Sequence, residues 1–400
     1  MSFAEQGKNT GNFETTVLSL SYGSIVVKPP EKLTGLVPES FEGYQIINPG
    51  DIIIRPTDLQ NDFNSLRVGL AKDRGIITSA YLGLKHNEKA SSEYLYYLLY
   101  AYDLLKVYYG MGTGLRQNLD WRDFKYLTLT YPPKPEQDRI VAFLDRKTAE
   151  IDTLIAKKQR QIELLDEQKA ILINRAVTRG LNPNAKLKPS GIEWIGDIPE
   201  HWEILRVKHR ATYFTSGSRG WGDFYSEEGD LFLQSGDLTY NCTISLANAK
   251  RVKLPRKAEG LRTRLQTHDT VVCITGANTG RVANVGDVSE TIYVNQHLCL
   301  VRPSKLIDHR YLSLALSGNA GRTHFSLCQY GLKEGLNLDD VKNCAFPIPP
   351  MSEQSEILKF IGDASAAIES GKESVVQQIQ TLQTLRSTLI AHAVTGRIKV

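Results

Sequence analysis

One stretch of this chain occurs twice, and that repetition limits the possible folds more than any other feature. Residues 132–178 read PPKPEQDRIVAFLDRKTAEIDTLIAKKQRQIELLDEQKAILINRAVT, and from Pro349 the chain returns as PPMSEQSEILKFIGDASAAIESGKESVVQQIQTLQTLRSTLIAHAVT. The copies align without a gap at a constant offset of 217 residues, Pro349 against Pro132. Gln137/Gln354, Ile140/Ile357, Phe143/Phe360, Ile151/Ile368, Ile162/Ile379, Leu165/Leu382 and Leu172/Leu389 match, as do the endings Ala176-Val177-Thr178 and Ala393-Val394-Thr395. A gap-free match of this length marks an internal repeat.

Each copy begins and ends as a helix does. Paired prolines can precede a helix but not sit inside one, and Pro135 suits the first helical position. Glu136 and Glu353 place negative charge at the positive end of the dipole. Gly180 and Gly396 can adopt a left-handed cap, and Pro183 blocks a return to helix.

Between these ends the apolar residues follow the four-three spacing of a coiled-coil seam. It passes through Ile151, Ile155, Ile162, Leu165 and Leu172 in the first copy, and Ile368, Val375, Ile379, Leu382 and Leu389 in the second. Lys158, Lys169 and Ala176 continue the first seam, and Lys372, Arg386 and Ala393 the second. Where one copy is basic the other is apolar at two places, Ile155 against Lys372 and Lys158 against Val375. Such related but unequal seams are expected of helices that pair with each other; the plainer alternative is an amphipathic helix covering its own domain. At about 1.5 Å per residue each helix is on the order of 60 Å long.

The blocks outside the helices echo each other faintly. PGDIIIRP (Pro49–Pro56) corresponds to THDTVVCIT (Thr267–Thr275), each a turn acid (Asp51, Asp269) followed by an apolar strand. The stretches from Arg67 and from Arg281 both read as strand, turn, strand, and those from Ser92 and from His309 as a short helix. GTGLRQNLD (Gly112–Asp120) corresponds to LKEGLNLDD (Leu332–Asp340), a glycine-rich loop ending in Asn-Leu-Asp.

The predicted architecture is α+β: two mixed, strand-rich globular domains separated by two long helices that pack as an antiparallel coiled coil with pseudo-two-fold symmetry. The segments are 1–131, the first domain; 132–181, the first helix; 182–347, the second domain; and 348–400, the second helix. The second domain opens with a packed entry segment around Trp194, Pro199 and Trp202. The first lacks its counterpart, and its residues before Phe13 are expected to be disordered.

Composition sets outer bounds. Four hundred residues exceed one ordinary core, and 41% hydrophobic with 23% charged residues is a soluble, globular composition. No run of eighteen apolar residues and no basic-then-apolar leader is present, which points to the cytosol. The five cysteines, Cys242, Cys273, Cys299, Cys328 and Cys344, form no CxxC pair and read as buried free thiols. A net charge of +4 and a pI near 8.6 permit nucleic-acid binding without requiring it.

Catalytic motifs are missing. Tyr131 and Ile348 stand where an adenine methyltransferase would have the asparagine of Asn-Pro-Pro-Tyr. GMGTG (Gly110–Gly114) follows a helix rather than a strand, and TGANTGR (Thr275–Arg281) lacks the Lys-Ser/Thr of a phosphate loop. No nuclease arrangement and no metal-spaced histidine pair stands out among the eight histidines.

In the repeated Pro-Pro-x-x-Glu-Gln (Pro132, Pro133, Glu136, Gln137; Pro349, Pro350, Glu353, Gln354), the FLDRKTAEIDTLIAKKQRQIELL helix, the AVT endings, the entry segment GIEWIGDIPEHWE and the PGD strand, the chain resembles the specificity subunits of Type I DNA restriction-modification enzymes. The resemblance spans nearly the whole chain. It implies two target recognition domains, each reading one half of a bipartite, non-palindromic DNA site, with the helices as spacer. It also implies two methyltransferase subunits docked on that scaffold, motor-nuclease subunits in the full complex, and no catalysis by this chain. S-adenosylmethionine would belong to the methyltransferase partner, ATP and magnesium to the motor-nuclease, and no cofactor to this chain. A stand-alone methyltransferase or nuclease, or a coiled-coil scaffold without DNA reading, are the alternatives.

Base reading calls for Arg or Lys at guanine and Asn or Gln at adenine, carried on loops. In the first domain the candidates are Ser21, Tyr22, Arg55, Thr57, Asp58, Gln60, Asn61, Arg67, Arg116 and Gln117. In the second they are Ser218, Arg219 and Trp221, then Asn278, Thr279 and Arg281, then Gln329, Tyr330 and Lys333. The tyrosine run Tyr94–Tyr109 has helical spacing and is expected to be core first, though its rings could stack on bases.

Overall fold

The structure, a computed structural model, describes residues 2–3, 7–29, 31, 40–85, 90–111, 118–254, 261–329 and 335–400. Seven α-helices are described: α1 (Ser92–Leu104), α2 (Trp121–Phe124), α3 (Lys134–Arg179), α4 (His309–Ser317), α5 (Asn319–Cys328), α6 (Leu338–Asn343) and α7 (Met351–Val394). The two repeats are α3, of 46 residues, and α7, of 44. Both stop at the expected glycines, Gly180 at φ +70° and Gly396 at φ +72°. Pro135 sits at the second helical position rather than the first, because Lys134 already joins the helix.

The chain forms two compact units. One comprises Met1–Gln161 with Ser374–Val400, and the other Ile162–Glu373. Each unit therefore holds one globular domain, part of α3 and part of α7. In the first, Ile140 and Leu144 from the start of α3 and Ile390, Ala393 and Val394 from the end of α7 join one core with Tyr94, Leu98 and Tyr108. In the second, Ala176 and Val177 from the end of α3 and Ile357 and Ile361 from the start of α7 join a core with Trp202, Tyr311 and Phe346. The repeated Ala-Val-Thr endings are thus domain-core residues.

Within each unit α3 and α7 run antiparallel. In the second unit Asp166 pairs with Lys372 at 2.6 Å and Lys169 with Glu369 at 2.9 Å, so three residues up α3 match three down α7. In the first unit Asp152 pairs with Arg386 at 2.9 Å. Asp152 and Glu369, like Lys169 and Arg386, occupy equivalent repeat positions, so each unit contains the same ion pair with its partners exchanged between helices. Ile151, Ala176, Ile368, Val375 and Ala393 are buried and the other seam residues half-buried, whereas Leu154, Ile171 and Leu385, off the seam, are exposed.

The globular domains share a frame. In the first, a four-stranded antiparallel sheet runs Ser2–Phe3, Leu82–Lys85, Ile52–Ile54, Val68–Leu70. In the second the order is Ala211–Ser216, Leu298–Pro303, Thr270–Cys273, Val282–Asn284, again antiparallel. The central strands Ile52–Ile54 and Thr270–Cys273 are buried throughout, which explains their apolar run, and the one polar member, Thr270, hydrogen-bonds the Ser313 hydroxyl at 2.8 Å. Both follow the same local turn: Asp51 accepts from the N–H of Asn48 at 2.8 Å, and Asp269 from that of Gln266 at 2.7 Å. The second domain adds a four-stranded sheet in which Asp230–Leu233 and Ile292–Val294 lie parallel.

The segment before Phe13, expected to be disordered, carries the strand Ser2–Phe3 paired with Leu84–Lys85, and Asn9 is buried. Asn9 closes its own loop through Glu14: its Nδ2 donates to the Glu14 carbonyl at 2.9 Å and its Oδ1 accepts the Glu14 N–H at 3.0 Å. The entry segment packs as expected around Trp202, which is fully buried and donates its indole N–H to Glu353 on α7 at 2.9 Å. Strand Glu203–Arg206 then pairs with Ala345–Ile348. The register of the Asn-Leu-Asp loops shifts by two residues from the sequence match, because the helix caps, not the tripeptides, correspond. Asp120 caps α2 and Asn337 caps α6, each with a reciprocal capping box.

Candidate nucleic-acid interface

In the second unit five loops converge beside the C-terminal end of strand Thr270–Cys273. The glycine loop that follows is tied down by Asn278, whose amide donates to the Ser235 carbonyl at 3.1 Å, and by Arg281, which donates to the Leu238 carbonyl at 3.1 Å. The Thr275 hydroxyl hydrogen-bonds His297 Nδ1. Ser218 bridges Asn295, and a Cβ on Gly217 would lie 2.1 Å from the Asn295 backbone, so only glycine permits that approach. Leu336 donates its N–H to the Ile274 carbonyl at 2.7 Å, which brings in the fifth loop.

This convergence gathers Ser218, Arg219, Asn278, Thr279 and Arg281 on one loop cluster. Arg219 is exposed, Ser218, Asn278, Thr279 and Arg281 are half-buried, and Gln329 caps the end of α5, its amide on the Phe325 carbonyl at 3.1 Å. Trp221 corrects the sequence reading: it is 5% exposed and packs against Phe232 and Tyr293, because an aromatic in a glycine-rich loop gains more by filling the small sheet's core. Tyr330 and Lys333 lie outside the described residues.

Sequence reasoning missed Gln296 and His297. Gln296 is exposed, with its amide 3.2 Å from His297 Nε2, so Thr275, His297 and Gln296 form a chain ending at the surface. The available signal was polar Asn295-Gln296-His297 interrupting two apolar strands.

In the first unit the equivalent loop follows strand Ile52–Ile54. Leu119 donates its N–H to the Pro56 carbonyl at 2.9 Å, as Leu336 does to Ile274. Here Arg67 corrects the sequence reading. It is fully buried, and its guanidinium donates to the carbonyls of Thr57 at 2.7 Å, Asp58 at 3.2 Å and Asp62 at 2.7 Å, with Nε on the Tyr109 hydroxyl at 3.1 Å. A buried charge persists only when its donors are satisfied, and these bonds leave Arg67 no reach toward a groove. Arg67 shapes the loop instead.

That loop presents Gln60 and Asn61 to solvent. Asn61 donates to the Asp58 carboxylate at 2.8 Å, and Asp58, at φ +61°, takes the Asn118 side chain on its N–H at 2.9 Å. Arg55 pairs with Asp62 at 3.0 Å; the Ser65 hydroxyl and N–H, with Arg55 behind them, hold the Asp62 carboxyl down to about 2. Thr57 and Ser21 are half-buried, and Tyr22 stands out in solvent. Arg116, Gln117 and Gly112–Gly114 of the GMGTG stretch lie outside the described residues. The tyrosine run is core as expected: Tyr94, Tyr97, Tyr100 and Tyr108 are buried.

All five cysteines are free, and burial pushes the thiols of Cys242 and Cys299 up to about 11 and about 12, away from thiolate. Among the described residues no three His, Cys, Asp or Glu side chains are grouped to hold a metal ion, and no helix is long and apolar enough to cross a membrane.

Comparison with known proteins agrees with this frame. The family model for the Type I restriction modification DNA specificity domain matches residues 78–164 and 231–378. The chain is 23% identical over 366 residues to the Type I restriction enzyme MjaVIII specificity subunit of Methanocaldococcus jannaschii, covering 89% of this chain and 80% of that one. It is 23% identical over 385 residues to the EcoBI specificity subunit of Escherichia coli, covering 91% and 76%. A chain solved in a study of complex assembly and conformational transition of the type I R-M system superposes with a TM-score of 0.62 at 16% identity, covering 90% of this chain and 84% of that one. That likeness shows a shared fold.

Proposed function

Because this chain belongs to the Type I restriction-modification DNA specificity family, we propose that it is the DNA-specificity subunit of such a complex, each unit reading one half of a split, non-palindromic site. The single observation that carries this reading is a pair of equivalent loops with unlike side chains. Both follow the central strand of their sheet and both are held by one leucine N–H, Leu119 or Leu336. One reads Pro56-Thr57-Asp58-Leu59-Gln60-Asn61, the other Ile274-Thr275-Gly276-Ala277-Asn278-Thr279. A constant frame with variable polar loops suits two readers of different sequences, since base edges are discriminated by side-chain donors and acceptors. The readers would use Arg55, Thr57, Gln60 and Asn61 in the first unit. In the second they would use Ser218, Arg219, Asn278, Thr279 and Gln296, with Gln329 at the margin.

The chain itself catalyses nothing in this reading. A methyltransferase subunit, docked twice, binds S-adenosylmethionine and flips the target base; a motor-nuclease subunit brings ATP and magnesium. The paired helices act as the spacer and as part of the docking scaffold. The test is to exchange residues 182–347 for those of a relative, assemble with the methyltransferase subunit, and map the methylated sites. One half of the split sequence changes and the other stays. A change in both halves, or methyl transfer by the purified chain alone, overturns the reading.

A further inference from the structure

Two exposed tyrosines occupy equivalent turns in the two units, outside the repeated helices. The first turn reads Leu20-Ser21-Tyr22-Gly23, the second Leu238-Thr239-Tyr240-Asn241. Tyr22 is 94% exposed and Tyr240 87%. In the first unit Ser21 pairs with Ser24, and Tyr22 and Gly23 form a two-residue turn with φ of +48° and +77°. In the second, Leu238 bridges Ile244 and the Thr239 N–H donates to the Thr243 carbonyl at 2.8 Å, closing a turn one residue longer.

Both turns are anchored at the same place. The Tyr96 hydroxyl, on α1, donates to the Gly23 carbonyl at 3.4 Å, and the Cys242 thiol donates to the Ser313 carbonyl, on α4, at 3.4 Å. Tyr96 and Ser313 stand at the repeat offset. A bulky residue at positive φ is uncommon, so the Tyr22 backbone is held in the turn against local preference. In the second unit Arg281 supports the ring from below, its guanidinium carbon 4.1 Å from the Tyr240 centroid.

The chemistry of these tips is that of a protein contact. No charged residue occurs in sequence from Leu18 to Val27 or from Leu238 to Ala249, and the two cations that reach the second turn are already engaged: Arg281 on the Tyr240 ring and the Leu238 carbonyl, Lys169 on Asn241 Oδ1 at 2.8 Å and on Glu369. Duplex binding rests on Lys and Arg at phosphates, whereas tyrosine is enriched where proteins meet. Val26 and Val27 beside Tyr22, and Leu246 beyond Tyr240, are also exposed. A feature present on both units fits a partner that is the same at both; the half-sites, by contrast, differ. We propose that Tyr22 and Tyr240 are equivalent docking points for one protein partner that binds this chain twice, once per unit. This rests on the reading above, in which that partner is the methyltransferase subunit. It moves Tyr22 from the base-reading candidates to the subunit interface.

The test is native mass spectrometry of the complex with its methyltransferase subunit, for the wild type, Tyr22→Asn (asparagine tolerates positive φ), Tyr240→Ala and the double variant. Each single variant is expected to lose one of two methyltransferase copies at a concentration that saturates the wild type, and the double variant to bind at least tenfold more weakly. Thermal melts of the variants alone establish folding, and Tyr22→Phe and Tyr240→Phe are expected to keep both copies. Two copies retained by every variant would overturn the proposal, and a loss confined to DNA affinity would make the tyrosines duplex contacts instead. If the wild-type complex protects no split sequence, the functional reading fails, whatever the stoichiometry.

Discussion

Tyr94 donates its hydroxyl to the carbonyl of Val394, 300 residues further along the chain, at 3.4 Å, and also to Thr130 at 3.1 Å. Tyr311, at the repeat-equivalent position, donates to Val177 at 3.3 Å and Pro347 at 3.0 Å. Each bond joins the first turn of a domain helix to the end of the long helix that began on the other domain. It also ties in the segment leading to the double proline. One tyrosine per unit therefore secures the two chain segments that the repeat brings together.

The same junction carries a buried glutamine. Gln137 accepts the N–H of Ser91 at 2.9 Å and donates to Pro132 at 2.9 Å, while Gln354 accepts the N–H of Asp308 and donates to Pro349 at the same distances. Gln137→Ala or Gln354→Ala leaves two backbone groups at the junction unsatisfied, costing about 2–6 kcal/mol at about 1–3 kcal/mol for each group. Hydrogen exchange should show the loss first in the N-terminal turn of α1 or α4 respectively; equal loosening of both would contradict the separate clamps.

The antiparallel register predicts a charge-swap result. Asp166→Lys should lower stability by setting like charges together at Lys372, and adding Lys372→Asp should recover most of it. For so exposed a pair the coupling is on the order of 1 kcal/mol or less. A double-mutant cycle in urea measures it, and zero coupling would refute the pairing.

Arg67 and Gln60 should separate shape from reading. Arg67→Ala removes a buried hub and is expected to cost about 3 kcal/mol or more, since several carbonyls lose their donors together. Gln60→Ala should leave the melting temperature unchanged while relaxing one position of one half-site. Methylation of a randomised site library distinguishes these outcomes.

Stability should fall on mild acidification because of His309. Burial, and after it the stacked ring of His268 at 3.8 Å, holds the His309 pKa below its usual 6.5. Asn284 donates to His309 Nδ1 at 2.9 Å, with Asp308, Arg310 and Ser313 close by. The unfolded chain thus binds the proton first. The contribution is complete above 6.5 and is lost as pH falls through that value toward the lower folded one. His309→Asn, which keeps an acceptor for Asn284, should flatten the urea midpoint across that window.

Trp202→Ala should cost about 3–5 kcal/mol, the range for emptying a buried large aromatic site. The loss should concentrate in the second unit, where Trp202 meets Glu353 and lies 3.0 Å from where a Cβ on Gly180 would stand. Trp202→Phe removes the indole hydrogen bond together with part of the buried ring and should lose at least about 1.5–3 kcal/mol, the range for bonds to charged groups.

The sequence alone determined the two long helices, their ends, their apolar seams and the presence of two bodies, one ahead of each helix. Those features are local or periodic: a proline or a left-handed glycine acts on its own turn, and a seam is written every three or four residues. It also exposed the matched glutamines 137 and 354, but not the helix caps 46 residues away that they hold. Which polar loop residues face solvent was decided only by tertiary structure. Arg67 and Trp221 look like readers in sequence, yet Arg67 is enclosed by the carbonyls of the loop before it and by Tyr109, and Trp221 by the strands that carry Phe232 and Tyr293, while Gln296 stands exposed beside His297. A loop has no period, so where its side chains end up depends on the elements the fold packs around it.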